Sequence, residues 1–272
     1  MSQEGTKERL DILLVNKGLV SSRERAKAYI MAGLVIVDGQ KIDKAGTPVP
    51  ESATIVITGD SIGYVSRGGL KLAKALSHFS IDLTGQVMAD VGASTGGFTD
   101  CALKHNAKKI YAIDVGYGQL AWSLRTDKRV INMERTNIRN VTVGDLGEYL
   151  DFVSIDVAFI SLDKVLPIVK TLLHAAGRII ALVKPQFEAG REKVGKKGVV
   201  KDPIVHIEVI TKVVTCARNL NLAPWGLTFS PVKGPEGNIE YLLYLANNST
   251  VDVMDSMVIE QVVAAAHASL TG

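Results

Sequence analysis

Residues 87–100 read Val87-Met88-Ala89-Asp90-Val91-Gly92-Ala93-Ser94-Thr95-Gly96-Gly97-Phe98-Thr99-Asp100. Val87 to Val91 reads as a short buried strand, Gly92, Gly96 and Gly97 follow at once, and Phe98 to Leu103 reads as the start of a helix. A strand, a glycine turn and a helix start place bare backbone at the carboxyl edge of a sheet, where a ligand can come close. The glycine spacing excludes two common sites. Gly92-x-x-x-Gly96-Gly97 is not the G-x-G-x-x-G of a dinucleotide fold, and no Gly-Lys-Ser/Thr follows to make a P-loop.

What remains is a loop bent around an amino acid joined to a nucleoside, the shape used by S-adenosylmethionine enzymes. Asp114 ends the next strand, 22 positions after Gly92. An acid there accepts hydrogen bonds from ribose hydroxyls, which fits the same kind of cofactor. Around this pair, strands are expected at 87–91, 109–113, 130–133, 152–155 and 178–183, and helices near 97–105, 163–174 and 203–220. Alternation at this interval implies a parallel sheet wrapped by helices, an α/β fold of Rossmann-like type. Late strands near 227–231 and 241–246 have a loop and no helix between them, so the last is expected to be antiparallel; residues 255–270 read as a terminal helix.

Asp156 follows the strand at 152–155, Lys184 follows the strand at 178–183, and Glu240 precedes the strand at 241–246. Ligands of open α/β sheets bind beyond the carboxyl ends of the parallel strands, and an antiparallel last strand begins at that same rim. The three side chains are therefore expected to face one another. Lys71 can reach them from the helix predicted at 70–79, whose Leu72, Ala73, Leu76 and Phe79 fall at core spacing. A lysine in a first helical turn opposes the helix dipole, a local conflict of the kind that marks function.

Residues 1–60 form a separate small unit, and 61–69 read as a linker before a domain at 70–272. A helix is expected from Arg9 to Lys17, closed by Gly18; Ser21 or Ser22 caps a second helix that Gly33 ends. Leu34 to Ile42 reads as a hairpin turning on Asp38-Gly39, and Thr54 to Ile57 as a further strand. Arg9-Leu10-Asp11, Ser22-Arg23-Glu24-Arg25-Ala26 and Gly33-Leu-Val-Ile-Val-Asp-Gly39 together resemble the S4 RNA-binding domain, a small α+β module. That resemblance implies an RNA-phosphate face built from Arg9, Arg23, Arg25 and Lys27. Arginine suits such a face because its planar fork pairs with phosphate oxygens in two places.

The resemblance extends over nearly the whole chain. Ser66-Arg-Gly-Gly-Leu-Lys71-Leu72, Asp90 to Phe98, Asp114-Val-Gly-Tyr-Gly-Gln-Leu120, Leu182-Val-Lys184-Pro-Gln-Phe187 and Gly237-Asn-Ile-Glu240-Tyr241 resemble the TlyA family. These bacterial proteins, named as haemolysins, methylate ribosomal RNA at cytidine 2′-hydroxyls through a catalytic domain of FtsJ type. The resemblance implies a Lys-Asp-Lys-Glu tetrad of Lys71, Asp156, Lys184 and Glu240. It also implies S-adenosylmethionine contacts from Asp90, Gly92, Ser94, Thr95, Gly96, Gly97, Phe98 and Asp114, and further RNA contact by Arg67. Asn137 stands where many methyltransferases carry an acid near the adenine, and Ala158 where relatives are expected to carry serine.

Within the tetrad, Lys184 is the expected base, with Asp156 orienting it and Lys71 and Glu240 positioning the ribose. Burial and Lys71 would lower the Lys184 pKa whereas Asp156 and Glu240 would raise it, so the sequence leaves open whether Lys184 takes the proton or only orients the hydroxyl. Two readings compete with the enzyme. One is a non-catalytic RNA-binding ribosome assembly factor; the other is a membrane-active haemolysin.

Composition agrees with the enzyme. The 272 residues are 47% hydrophobic and 22% charged, with net charge +3. Basic residues are concentrated: eight Lys/Arg against three Asp/Glu over 104–139, and six against two over 184–201. Such segments face phosphate backbones. Cys101 and Cys216 are far apart and make no C-x-x-C, so neither a metal site nor a disulfide is expected. The polar start and the lack of 18 continuous apolar residues point to a cytoplasmic chain without membrane partner, and nothing in the sequence sets an oligomeric state.

Overall fold

The computed structural model describes residues 7–20, 22–31, 33–57 and 63–270. It divides into two compact units, Met1–Gly63 and Tyr64–Gly272.

The first unit runs β1 (Lys7–Arg9), α1 (Leu10–Asn16), α2 (Arg23–Met31), β2 (Val35–Val37), β3 (Gln40–Ile42), β4 (Pro48–Pro50) and β5 (Ile55–Ile57). Leu10, Leu13 and Leu14 of α1 meet Ala26 and Ile30 of α2 over Val35 and Val37 in a single small core. β2 and β3 pair antiparallel through Asp38 and Gly39, both at positive φ, the backbone that a two-residue hairpin turn demands. Ser22 Oγ accepts from the Arg25 amide and caps α2; the other expected cap, Ser21, lies outside the described residues. Arg9 is in β1 and not in the first helix, and β1 pairs with β4. That pairing has little sequence signal, because each strand is three residues long and β4 carries two prolines.

The second unit contains α3 (Gly68–His78), β6 (Val87–Val91), α4 (Gly97–Lys104), β7 (Lys109–Ile113), α5 (Trp122–Arg125), β8 (Val130–Met133), α6 (Val143–Leu146), β9 (Leu150–Ile155), α7 (Leu166–Leu172), β10 (Leu173–Val183), α8 (Pro185–Glu188), α9 (Pro203–Asn219), β11 (Leu222–Phe229), β12 (Tyr241–Asn247) and α10 (Ser256–Leu270). The sheet order is β11-β12-β10-β9-β6-β7-β8. Strands β6 to β10 are mutually parallel, and β12 is antiparallel to both of its neighbours. Both sheet faces are covered, which explains why all five residues of β6 and most of β9 are buried. Val87, Ala89 and Val91 face the core beneath α7, α9 and α10, while Met88 faces the core beneath α3 and α4.

Some expected boundaries shift. The linker read over 61–69 ends earlier, because Tyr64 and Val65 pack on the second unit's core, the Val65 amide donates to Asp100 Oδ2 at 2.7 Å, and α3 already begins at Gly68. Strand β10 starts at Leu173, five residues ahead of expectation, with a register shift before Arg178. The strand placed at 227–231 runs instead from Leu222 to Phe229. Pro224 is tolerated there because β11 is an edge strand with a register shift at that point.

Candidate active site

Chain order reverses around β6: β7 and β8 lie to one side, β9 and β10 to the other. The crevice of such a sheet opens beyond β6 and β9, and Gly92 and Asp156 are the residues that directly follow those strands. Gly92 has φ +84°, and a Cβ there would stand 2.4 Å from the Asp156 carbonyl oxygen. Only glycine lets the two strand ends lie this close.

Asp114 ends β7 and ties two turns together. Its carboxylate accepts from the amides of Ser94 and Gly116, each at 2.7 Å. A cavity of about 630 Å³ opens here. Val91, Ile113, Ile138 and Val157 give it apolar walls, and Gly92, Ser94, Asp114, Gln119, Asn137 and Asp156 give it polar ones. This donor set suits the cofactor. Backbone amides and one carboxylate can take a ribose and an amino-acid group, and the branched walls can take an adenine. Asn137 Oδ1 accepts from the Arg139 amide, so its side chain also caps the turn it sits on.

Five loop residues expected to touch the cofactor do not line this cavity. Asp90 is buried behind the loop, where it accepts from the Thr99 amide and hydroxyl at 2.9 and 2.7 Å. Burial pushes its carboxyl up to about 7, against the pull of those hydrogen bonds. A Cβ on Gly96 would meet Leu124 and Leu120, and one on Gly97 would meet Ser66 Oγ at 2.3 Å and the Gly69 amide nitrogen at 2.8 Å. These two glycines serve helix packing: Gly97 lets the start of α3 abut the start of α4. Phe98 is buried in the core, and the Thr95 carbonyl accepts from the Ala121 amide.

That abutment carries Lys71 to the strand ends. Lys71 Nζ lies 2.7 Å from Glu240 Oε2 and 3.5 Å from Asp156 Oδ2, while Lys184 Nζ lies 2.5 Å from Asp156 Oδ1. The four expected catalytic side chains therefore form one chain, Glu240–Lys71–Asp156–Lys184, and Asp156 belongs to the cavity wall. Glu240 is only 1% exposed. Burial works against charge on Lys71, but Asp156 and Glu240 outweigh it, and the pKa is raised. The conflict of this lysine with its helix dipole is thus offset by carboxylates from two other elements.

Two aromatic residues at the rim were not singled out from sequence. Phe159 is 92% exposed at φ +62°, lines the cavity, and sits 5.0 Å from the Phe187 ring. Lys184 Nζ stands 5.9 Å from the centre of that second ring. An apolar residue directly past a strand end is the signal that could have flagged Phe159. Among the described residues no cluster of His, Cys, Asp or Glu could hold a metal ion.

In the first unit, Asp11 is fully buried and collects Arg9 Nε at 3.0 Å and Arg23 Nε at 2.9 Å. The Arg9 hydrogen bond, joined by Arg23 and opposed by burial, holds its carboxyl down at about 2. The two guanidiniums remain about half exposed, so each has an edge left for a phosphate. Arg25 donates to Tyr29 Oη, and Lys27 is exposed. Arg67, in the second unit, donates to the Lys233 carbonyl at 3.3 Å.

A doubly covered sheet of this order, with a glycine crevice beside a Lys-Asp-Lys-Glu cluster, defines a methyltransferase of FtsJ-like type. Residues 64–247 match the FtsJ-like methyltransferase family and residues 8–55 match the S4 domain. The chain is 51% identical to a Bacillus subtilis protein, YqxC, named as an rRNA methyltransferase, over 88% of its own length and 85% of the relative. It is 44% identical to the 16S/23S rRNA (cytidine-2′-O)-methyltransferase TlyA of Mycobacterium tuberculosis, over 87% and 89%. The solved structure of a Streptococcus thermophilus protein named as a haemolysin superposes with a TM-score of 0.79 at 43% identity, covering 98% of each chain. The chain belongs to the TlyA family of S4-bearing, FtsJ-like methyltransferases.

Proposed function

We propose that this chain transfers a methyl group from S-adenosylmethionine to a ribose 2′-hydroxyl of ribosomal RNA, and that the acceptor is a cytidine. The observation that carries this reading is the convergence of Lys71, Asp156, Lys184 and Glu240 on the crevice mouth. The names of the relatives at 51% and 44% identity support it. When bound, the cofactor supplies an electrophilic methyl on a sulfonium. Asp114, the Gly92–Ser94 backbone and Asn137 would hold it.

A ribose hydroxyl is a poor nucleophile near neutral pH, so the protein must fix its oxygen and give its proton a destination. Lys184 serves as the base that takes the 2′-hydroxyl proton, and Asp156 at 2.5 Å orients it. Lys71 stays charged between its two carboxylates and keeps the Asp156 carboxylate aimed. Phe159 offers an exposed ring on which an unstacked base of single-stranded RNA can stack.

The test is Lys184→Ala. General acid–base catalysis is worth about 10²–10⁴-fold, so single-turnover methylation of ribosomal RNA should fall by at least ~100-fold while calorimetric S-adenosylmethionine binding is kept. Near-normal turnover would end the assignment. Mass spectrometry of ribosomal RNA digests made with and without the protein identifies the nucleotide. Wild-type protein that binds cofactor but never labels RNA would favour the assembly-factor reading. Among the described residues no helix is long and apolar enough to cross a membrane.

A further inference from the structure

The stretch that follows α8 makes a short loop, Gly195-Lys196-Lys197-Gly198-Val199-Val200-Lys201. It is built, not merely exposed. The Gly195 amide donates to the Val199 carbonyl, the Gly198 amide donates to the Gly195 carbonyl, and Gly198 has φ +72°. Asn238, 2% exposed, then clamps it: the Val200 amide donates to Asn238 Oδ1 at 3.0 Å, and Asn238 Nδ2 donates to the Gly198 carbonyl at 2.8 Å. His206, fully buried, adds a second fastening. Its Nε2 lies 3.0 Å from the Val200 carbonyl and its Nδ1 2.7 Å from Tyr241 Oη. A carbonyl only accepts, so Nε2 carries the proton and Nδ1 accepts from the tyrosine.

These two fastenings bracket the tetrad carboxylate. Asn238 and Tyr241 stand two residues before and one residue after Glu240. At its other end the loop follows the segment that begins with Lys184. A buried asparagine spent on the backbone of a lysine loop fixes where those lysines stand relative to the reacting groups. Lys196, Lys197 and Lys201 are exposed and have no carboxylate within ion-pair distance among the described residues. Of the neighbouring acids, Asp202 is taken up capping α9, and Glu208 pairs with Lys193.

We propose that residues 195–201 form a clamped phosphate-binding tongue that seats the RNA strand flanking the target nucleotide, with Lys196 and Lys197 at its tip. The inference rests on the RNA reading above and adds to it a second phosphate-binding surface, carried by the methyltransferase unit itself. Lysine suits it as a mobile point charge that follows a backbone without reading sequence.

The test compares full-length wild type, Lys196→Ala/Lys197→Ala and Asn238→Ala for binding to ribosomal RNA across a salt series, with S-adenosylmethionine affinity measured alongside. Each lysine–phosphate pair removed lowers the slope of log K against log salt by about 0.7–0.9, so the double lysine variant should show a slope shallower by about 1.5. Its RNA affinity should fall about tenfold or more at low salt, with cofactor affinity unchanged. Asn238→Ala keeps every charge, so its RNA affinity should fall several-fold with the slope retained. A double variant with wild-type slope and affinity overturns the tongue, and an Asn238 variant with wild-type affinity overturns the clamp. Wild-type protein that binds no RNA at all sinks the RNA reading itself, an outcome separate from both.

Discussion

At the scale of single residues, charge balance governs the site. Lys71 is the only cation against the buried Glu240 carboxylate among the described residues, at 2.7 Å. Removing one partner of a buried pair leaves the other uncompensated and costs about 3–5 kcal/mol. Lys71→Ala is therefore expected to lower thermal stability strongly as well as activity. Adding Glu240→Gln should restore much of the melting temperature and none of the turnover, which separates the structural share of the pair from its chemical share. Asp11 shows the same physics under titration. Its carboxyl lies near 2 in the folded chain against 3.8 unfolded, so it stabilises the fold above about pH 4 and loses that contribution as pH falls toward 2. Asp11→Asn should melt lower than wild type at pH 6, by about 2 kcal/mol for hydrogen bonds to charged groups, and the gap between them should close by pH 2. Circular dichroism melts across that range test it. Sequence made Asp11 visible only inside a motif. Its burial between Arg9 and Arg23 depends on packing that no local pattern records.

At the scale of elements, the glycines divide their labour in a way the loop's spacing did not disclose. Gly92 serves the approach of two strand ends, whereas Gly97 serves the approach of two helices. A Cβ at Gly97 meets α3 backbone at 2.8–3.0 Å, so Gly97→Ala should push α3 away and carry Lys71 with it. Overpacking of this kind costs about 1–3 kcal/mol, and a shift of about 1 Å in a positioning group costs about 10² in rate. The expected signature is a large loss of kcat with cofactor affinity nearly kept, measured by single-turnover kinetics and calorimetry. The strands β6, β7 and β9 were legible because burial on both faces leaves short, mostly apolar runs. β1 and β4 were not, being three residues long with two prolines between them. The start of α3 was missed because Gly68 and Gly69 read as linker; a Cβ on Gly69 would stand 2.3 Å from the Tyr64 side chain, a contact no local pattern discloses.

At the scale of the whole chain, two units with separate cores carry the S4 match and the FtsJ-like match. Arg25 and Lys27 offer positive charge from α2 without touching Asp11, so reversing them tests the RNA face without disturbing the Asp11 network. Arg25→Glu/Lys27→Glu should raise the RNA Kd about tenfold or more at low salt and leave S-adenosylmethionine binding as it is. Gel shift and calorimetry on the same preparation decide it. The family, the α/β class and the meeting of the four tetrad residues at the strand ends were legible, whereas the full strand order β11-β12-β10-β9-β6-β7-β8 was not. The aromatic rim and the Asn238 clamp were not legible, since both depend on backbone turns brought together across the fold.

The reversed strand β12 lies between β10 and β11 and brings Glu240 to the rim from its beginning. Translation delivers a chain from its amino end, so the crevice, Lys71, Asp156 and Lys184 all leave the ribosome before their last carboxylate does. A chain that stops short of Glu240 therefore lacks both that carboxylate and the strand that joins β10 to β11.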